Sequence, residues 1–235
     1  MKKTSDVIYC FIPCAARKNA SGIVDQPVQS ITAADLTTYH QTLAGGQQAM
    51  NGLYCPKNKA LTTALRLYTG WFFHPLRPYL PTILPLLREG PCRIFILSGC
   101  YGVIDALDAV RCYIKGPLSG RLARQWIIQH KLREIIAELI TIGSPRAVYG
   151  FVAGPDDWPN HTQQGAFRYA FEQGVFHART NGFQNPASSF FVPQQGVVGL
   201  GVLGQAFVTF VKNGFNPIAI TGHQHGGFIV NRNIL

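Results

Sequence analysis

The run Arg93-Ile94-Phe95-Ile96-Leu97, broken at Ser98-Gly99-Cys100-Tyr101-Gly102, constrains the fold more than any other segment. Its apolar half reads as a buried strand. The chain continues through Val103, Ile104, Asp105, Ala106, Leu107 and Asp108 to Tyr113, so an aromatic, a second glycine and two acids follow the break. A strand running into a polar, Gly-rich loop is a common way to build a site on an open α/β sheet.

The rest of the chain supports such a sheet. Asp6 to Pro13 reads as a first strand, followed by a polar loop over 15–22. A helix is expected from Thr32 through Leu43, with Ser30 or Thr32 as cap and Gly45-Gly46 as an interruption. Residues 57–73 look helical, and a proline-spaced stretch leads to another helix ending near Gly90. Ser119 is positioned to cap a long helix, with Leu122, Trp126, Ile127, Leu132, Ile135, Ile136 and Leu139 on its apolar face and Gly143 at its end. Ala147–Val152 reads as a third strand with a loop at 153–157. Thr162–Glu172 reads as a helix, 176–194 as loop, Gln195–Val211 as a helix and Pro217–Thr221 as a last short strand. Strands alternating with helices favour one α/β domain over residues 1–235, with a central mixed or parallel sheet flanked by helices.

Composition narrows the class. At 235 residues, 47% hydrophobic and 14% charged, the chain is long enough for a real core and too apolar for a disordered protein. No apolar run is long enough to cross a bilayer. Lys2 and Lys3 ahead of Val7–Ile12 imitate a signal peptide, but Asp6 is misplaced for one and Pro13 ends the run early. A cytoplasmic protein is expected. Six cysteines without a Cys-x-x-Cys pair point to reduced, buried thiols rather than a zinc site, and no metal or cofactor is expected. Net charge is +10, from 21 Lys and Arg against 11 Asp and Glu, and no acid follows Glu172. Such a balance suggests a polyanionic partner, usually nucleic acid. A basic surface kept for solubility is the bland alternative.

Two ordered stretches resemble the family of the peroxide-stress protein YaaA. One is Leu67-Tyr68-Thr69-Gly70. The other is Ile96-Leu97-Ser98-Gly99-Cys100-Tyr101-Gly102-Val103-Ile104, continuing through Leu107-Asp108 and Tyr113 to Leu118-Ser119-Gly120-Arg121-Leu122-Ala123 and Trp126. Pro13-Cys14 with Arg17-Lys18 is a third, weaker match. The similarity covers ordered motifs in roughly the first 140 residues. Ala106 departs from the family's frequent proline, Arg111-Cys112 replaces a Pro-rich lead into the Tyr, and residues 23–56 look like a helical insertion. The resemblance implies DNA binding, protection of DNA under oxidative stress, and a uracil-DNA-glycosylase-like fold that grips a flipped base. A phage-defence DNA glycosylase that removes modified bases is a further candidate relative.

Cleaving an N-glycosidic bond needs a carboxylate to stabilise an oxocarbenium-like sugar or activate water, and a pocket for the extruded base. Asp108, matching the family's Leu-Asp, is the first catalytic candidate, with Asp105 beside it and Asn19 to orient water. Tyr68, Ser98, Tyr101 and Tyr113 are candidates to hold the base, with core packing as the default for each tyrosine. Arg17, Lys18, His223 and His225 suit phosphates, although solvated loop charges and structural histidines are the commoner case. The expected partner is duplex DNA with a flipped base, with no membrane and no protein partner inferred. Base excision, in anti-phage defence or on damaged DNA, is the expected activity. The alternatives are a non-catalytic DNA-binding stress protein and an enzyme acting on free nucleosides.

Overall fold

The computed structural model describes residues 5–19, 21–25, 35–55, 59–113, 119–152, 163–192, 197–222, 224–225 and 228–235. β1 (Ser5–Pro13) pairs parallel with both β3 (Cys92–Ser98) and β6 (Pro145–Phe151). β6 pairs parallel with β7 (Ala187–Phe191). The two edges are antiparallel: β4 (Gly102–Asp105) on β3 and β10 (Asn231–Ile234) on β7. The result is one α/β domain with a six-stranded mixed sheet, ordered β10-β7-β6-β1-β3-β4. A small separate pair joins β2 (Leu61–Thr63) to β5 (Ala109–Arg111).

Alternation along β6 shows how helices cover both faces. Side chains on a strand point alternately to its two sides. Tyr149 and Phe151 meet Phe210 and Phe207 of α7 (Val197–Lys212). Between them, Gly150 faces α6 (Gln163–Thr180), where a Cβ would lie 2.3 Å from the Phe171 ring. On β1, Phe11 also meets Phe171, at 5.3 Å between ring centroids. α4 (Ser119–Ile128) and α5 (Leu132–Gly143) pack against α6. Burying one such aromatic contributes about 2–3 kcal/mol.

Several elements differ from the sequence expectation, each for a tertiary reason. The helix α1 spans His40–Tyr54 and runs straight through Gly45-Gly46. Gly46 is needed there because its missing Cβ makes room for the Trp126 ring, 2.7 Å from where the Cβ would sit. Thr32 and Ser30 lie outside the described residues. Residues 57–73 are not one helix. They contain β2, the single turn α2 (Ala64–Leu67) and an extended Tyr68. Thr62 and Thr63 are drawn into pairing, and their hydroxyls accept the N–H groups of Gly22 and Asp25. α3 (Leu80–Glu89) forms as expected, with Pro85 inside it. The long helix after Ser119 is two helices, divided at Lys131, whose φ is +55°. The expected loop at 176–194 holds the end of α6 and the inner strand β7. Pro217–Ala219 is a 3-10 turn, and the sheet closes instead with β10, after the short β8 (Gln224–His225) and β9 (Phe228–Ile229). Among the described residues, no helix is long and apolar enough to cross a membrane.

Candidate functional site

The Ser98–Gly102 motif is a hairpin connection. Ser98 and Gly102 pair across β3 and β4, leaving Gly99, Cys100 and Tyr101 as the turn. Ser98 Oγ accepts the N–H groups of Cys100 at 3.3 Å and Tyr101 at 3.2 Å, which fixes the turn from within. Trp126 fixes it from outside by donating its indole N–H to the Gly99 carbonyl at 3.1 Å. Gly102 has φ +69°, and a Cβ there would lie 2.6 Å from the same indole. Both facts require glycine.

Four candidates for base contact meet at this turn. Tyr68 OH donates to Ser98 Oγ at 3.1 Å, and the Tyr113 hydroxyl lies 3.5 Å from the same oxygen. Tyr113 is edge-on to Tyr101, with centroids 5.8 Å apart. Burial, first among several causes, pushes all three phenols above their ordinary range. Tyr68 and Ser98 are fully buried, and Tyr113 is 9% exposed. Lys18 reaches this cluster from the loop after β1, with Nζ 3.7 Å from the Tyr113 ring centre. Backbone pairing of Lys18 with Tyr68, and of Arg17 O with Thr69 N–H, holds that loop beside the cluster.

Tyr101 also faces a cleft of about 480 Å³ between α1 and the β2–β5 pair. Gln48, Asn51, Gly52 and Cys55 line one wall; Leu61, Ala109, Val110 and Arg111 line the other. The volume suits a small organic ligand. Tyr101 OH donates to the Arg111 carbonyl at 2.9 Å and accepts the Arg111 N–H at 3.1 Å, which ties the floor to β5. Among the described residues, Asn51 Oδ1 and Arg111 Nε are buried without a hydrogen-bond partner. Buried polar atoms are nearly always satisfied, so these two, in residues that line the cleft, are where a water or a polar ligand group would complete the walls. No carboxylate belongs to the described lining.

The two acids occupy other positions. Asp105 pairs with Phe95, three residues back along β3 from Ser98, or roughly 10 Å at strand rise. Its Oδ2 accepts from Arg93 Nε at 2.7 Å, and its Oδ1 from the Leu107 N–H at 2.9 Å. Arg93 is shared with Asp35. Burial raises the Asp105 carboxyl, with Arg93 opposing. Asp108 Oδ2 accepts the Asp105 N–H at 3.0 Å. Both acids therefore shape the turn between β4 and β5. Neither lines the cleft.

The phosphate candidates divide. Arg17 is exposed and lines a hollow of about 220 Å³ with Thr69, Gly70, Trp71 and His74. Trp71 is 51% exposed there. Asn19 is exposed, and its N–H donates to Leu67 O at 2.8 Å. His223 and the 153–157 loop lie outside the described residues, and His225 sits in β8, against α7.

Gln48, Asn51, Cys55 and Arg111 were not among the residues expected from sequence. A helix phased through Gly45-Gly46 puts positions 48, 51 and 55 on one face, which is the signal that could have found three of them. None of the six cysteines is in a disulfide; four are buried, and Cys55 and Cys112 are half-buried. Among the described residues, no cluster of three His, Cys, Asp or Glu side chains could hold a metal. The chain matches no protein-family model and no curated protein.

Proposed function

We propose that this protein binds DNA and receives an unstacked base in the cleft between α1 and the β2–β5 pair. The observation that carries this reading is the pair of orphan polar atoms, Asn51 Oδ1 and Arg111 Nε, on a base-sized cleft floored by Tyr101. An acceptor on one wall and a donor on the facing wall can read the edges of a base between them, while an aromatic offers a face for it. Lys18 and Arg17 reach the adjoining edge from the loop after β1, and Trp71 stands exposed beside Arg17. The +10 net charge favours a polyanion. The cleft walls hold no described carboxylate, which suits binding more than hydrolysis.

Base excision is the second reading. It is favoured by the placement of Asn19, Tyr68, Ser98, Tyr101 and Tyr113 at or beside the carboxyl ends of β1 and β3, where open α/β sheets carry their sites. It would join the chain to the YaaA-like proteins and to a uracil-DNA-glycosylase-like fold, which its ordered motifs resemble. Asp105 and Asp108, held in their turn, would then act by supporting β5 and Arg111 rather than at the sugar. Duplexes carrying a panel of modified bases separate the two readings. Abasic sites, seen as strand breaks after alkali, support excision. Salt-dependent binding with intact DNA supports base capture alone.

A further inference from the structure

Cys55 and Cys100 lie 45 residues apart in sequence, yet their sulfurs are 3.5 Å apart. Cys55 follows the last turn of α1, is half-buried and lines the cleft; Cys100 is fully buried in the Ser98–Gly102 turn behind it. A disulfide needs about 2 Å between sulfurs, so a side-chain movement of about 1.5 Å would join them. The Tyr101 hydroxyl is 3.4 Å from the Cys55 sulfur.

We propose that Cys55 and Cys100 form a thiol–disulfide exchange pair that reacts in the cleft with a small disulfide of an acidic thiol. Cys55 is the attacking group because it alone of the two reaches the cleft. Its thiolate attacks one sulfur of the incoming disulfide, forming a Cys55–S–S–R mixed disulfide and releasing one RS⁻. Cys100 then gives its proton to the released thiolate or to water, attacks the Cys55 sulfur and expels the second RS⁻. Two protein thiols are oxidised by two electrons, and one small disulfide is reduced to two thiols.

The surroundings suit each step. A hydrogen bond from Cys100, opposed by burial and helped by the Tyr101 hydroxyl and the positive charges of Arg111 and Lys18, brings the Cys55 thiol down to about 7. The partial negative charge at the end of α1 works against the thiolate, so the Cys100 hydrogen bond and these cations must outweigh it. Cys100 is pushed well up, first by its hydrogen bond to Cys55 and then by burial, with Cys14 adding to the rise. It therefore stays protonated as a donor while Cys55 is free. Capping Cys55 in the mixed disulfide removes the first of those causes and releases Cys100 for the second step. The preference for an acidic thiol follows from the charge of Arg111, which lines the cleft, and from a described lining without carboxylates. This chemistry does not depend on base binding, and its readout is a covalent mass.

The test uses the full chain with oxidised glutathione as the acidic probe and 2-hydroxyethyl disulfide as the neutral one. Intact mass and peptide mapping should show wild type losing two hydrogens, with a Cys55–Cys100 cross-link. Cys100→Ser and Cys100→Ala should each stop with one glutathionyl group on Cys55. Cys55→Ser should give neither product. The reaction should rise to a plateau through about pH 7 and run about threefold faster at pH 7 than with an unstructured cysteine peptide, because the gain in thiolate exceeds the loss in nucleophilicity. Arg111→Leu should remove the preference for the acidic probe. Modification at Cys14 or Cys112 with Cys55 untouched would overturn the proposal, as would a wild-type mixed disulfide that never resolves, or equal rates with both probes.

Discussion

Asp108 Oδ2 accepts the backbone N–H of Asp105 at 3.0 Å, closing the turn between β4 and β5 from the inside. Asp108 is 6% exposed and belongs to the turn that aligns β5, whose end carries Arg111 into the cleft. Asp108→Ala should lower stability by about 1–3 kcal/mol, since it leaves a buried N–H without its partner. Asp108→Asn keeps an acceptor and should lose less. Urea denaturation of both variants gives the two values. Equal stability of Asp108→Ala and wild type would contradict the role in the turn.

Gly46 sets a helix preference against a packing constraint. Alanine in place of glycine inside a helix contributes about 1 kcal/mol of propensity. At position 46 the added methyl would meet the rigid Trp126 ring at 2.7 Å, and overpacking costs about 1–3 kcal/mol. Gly46→Ala should therefore destabilise, while Gly45→Ala, with open space around its Cβ, should stabilise. Thermal melts of the two variants should move in opposite directions.

These glycines also show where the sequence was legible. The apolar runs at 7–12, 94–97 and 147–152 read as strands because burial on both faces leaves an uninterrupted signal. α1 continues where the sequence suggests a break, because Gly45-Gly46 looks like an interruption until Trp126 is seen against it. β2 and β7 were missed because their partners, β5 and β6, are distant in sequence and their own patterns are weak. The Ser98–Gly102 motif was legible as a turn after a strand, but Trp126 as its outer support was not. Asp105 and Asp108 stand out in the sequence by type and position as candidate acids. Their hydrogen bonds within the turn, and the Arg93 ion pair, depend on the β3–β4 register.

Glu138 makes stability sensitive to acid. Its carboxylate accepts the N–H groups of Thr37, Thr38 and Tyr39 at 3.2, 2.6 and 2.9 Å, ahead of the first turn of α1. Burial raises its carboxyl, but these bonds outweigh that and leave it below the ordinary glutamate value. A depressed carboxylate contributes stability that is complete above the unfolded value, about 4.3, and is lost as pH falls through the folded one. Wild type should therefore lose stability on acidification below about pH 4.3, and Glu138→Gln should flatten that part of the profile. Denaturation measured from pH 6 down to pH 3 checks the slope.

Arg17 and Lys18 should act as phosphate contacts independent of base identity. Replacing either by alanine should weaken duplex binding evenly across sequences and reduce the slope of log affinity against log salt by about 1. Fluorescence anisotropy across a salt series reads this directly. An unchanged slope in both variants would remove that loop from the interface.

Base capture itself is best tested by comparing a matched duplex with one carrying a single mismatch, whose base leaves the stack at lower cost. Wild type should bind the mismatched duplex more tightly, and Asn51→Leu should remove that preference while keeping the salt-dependent binding shared by both duplexes. Equal affinity of wild type for the two duplexes, or a preference that survives in Asn51→Leu, would contradict a base in the cleft.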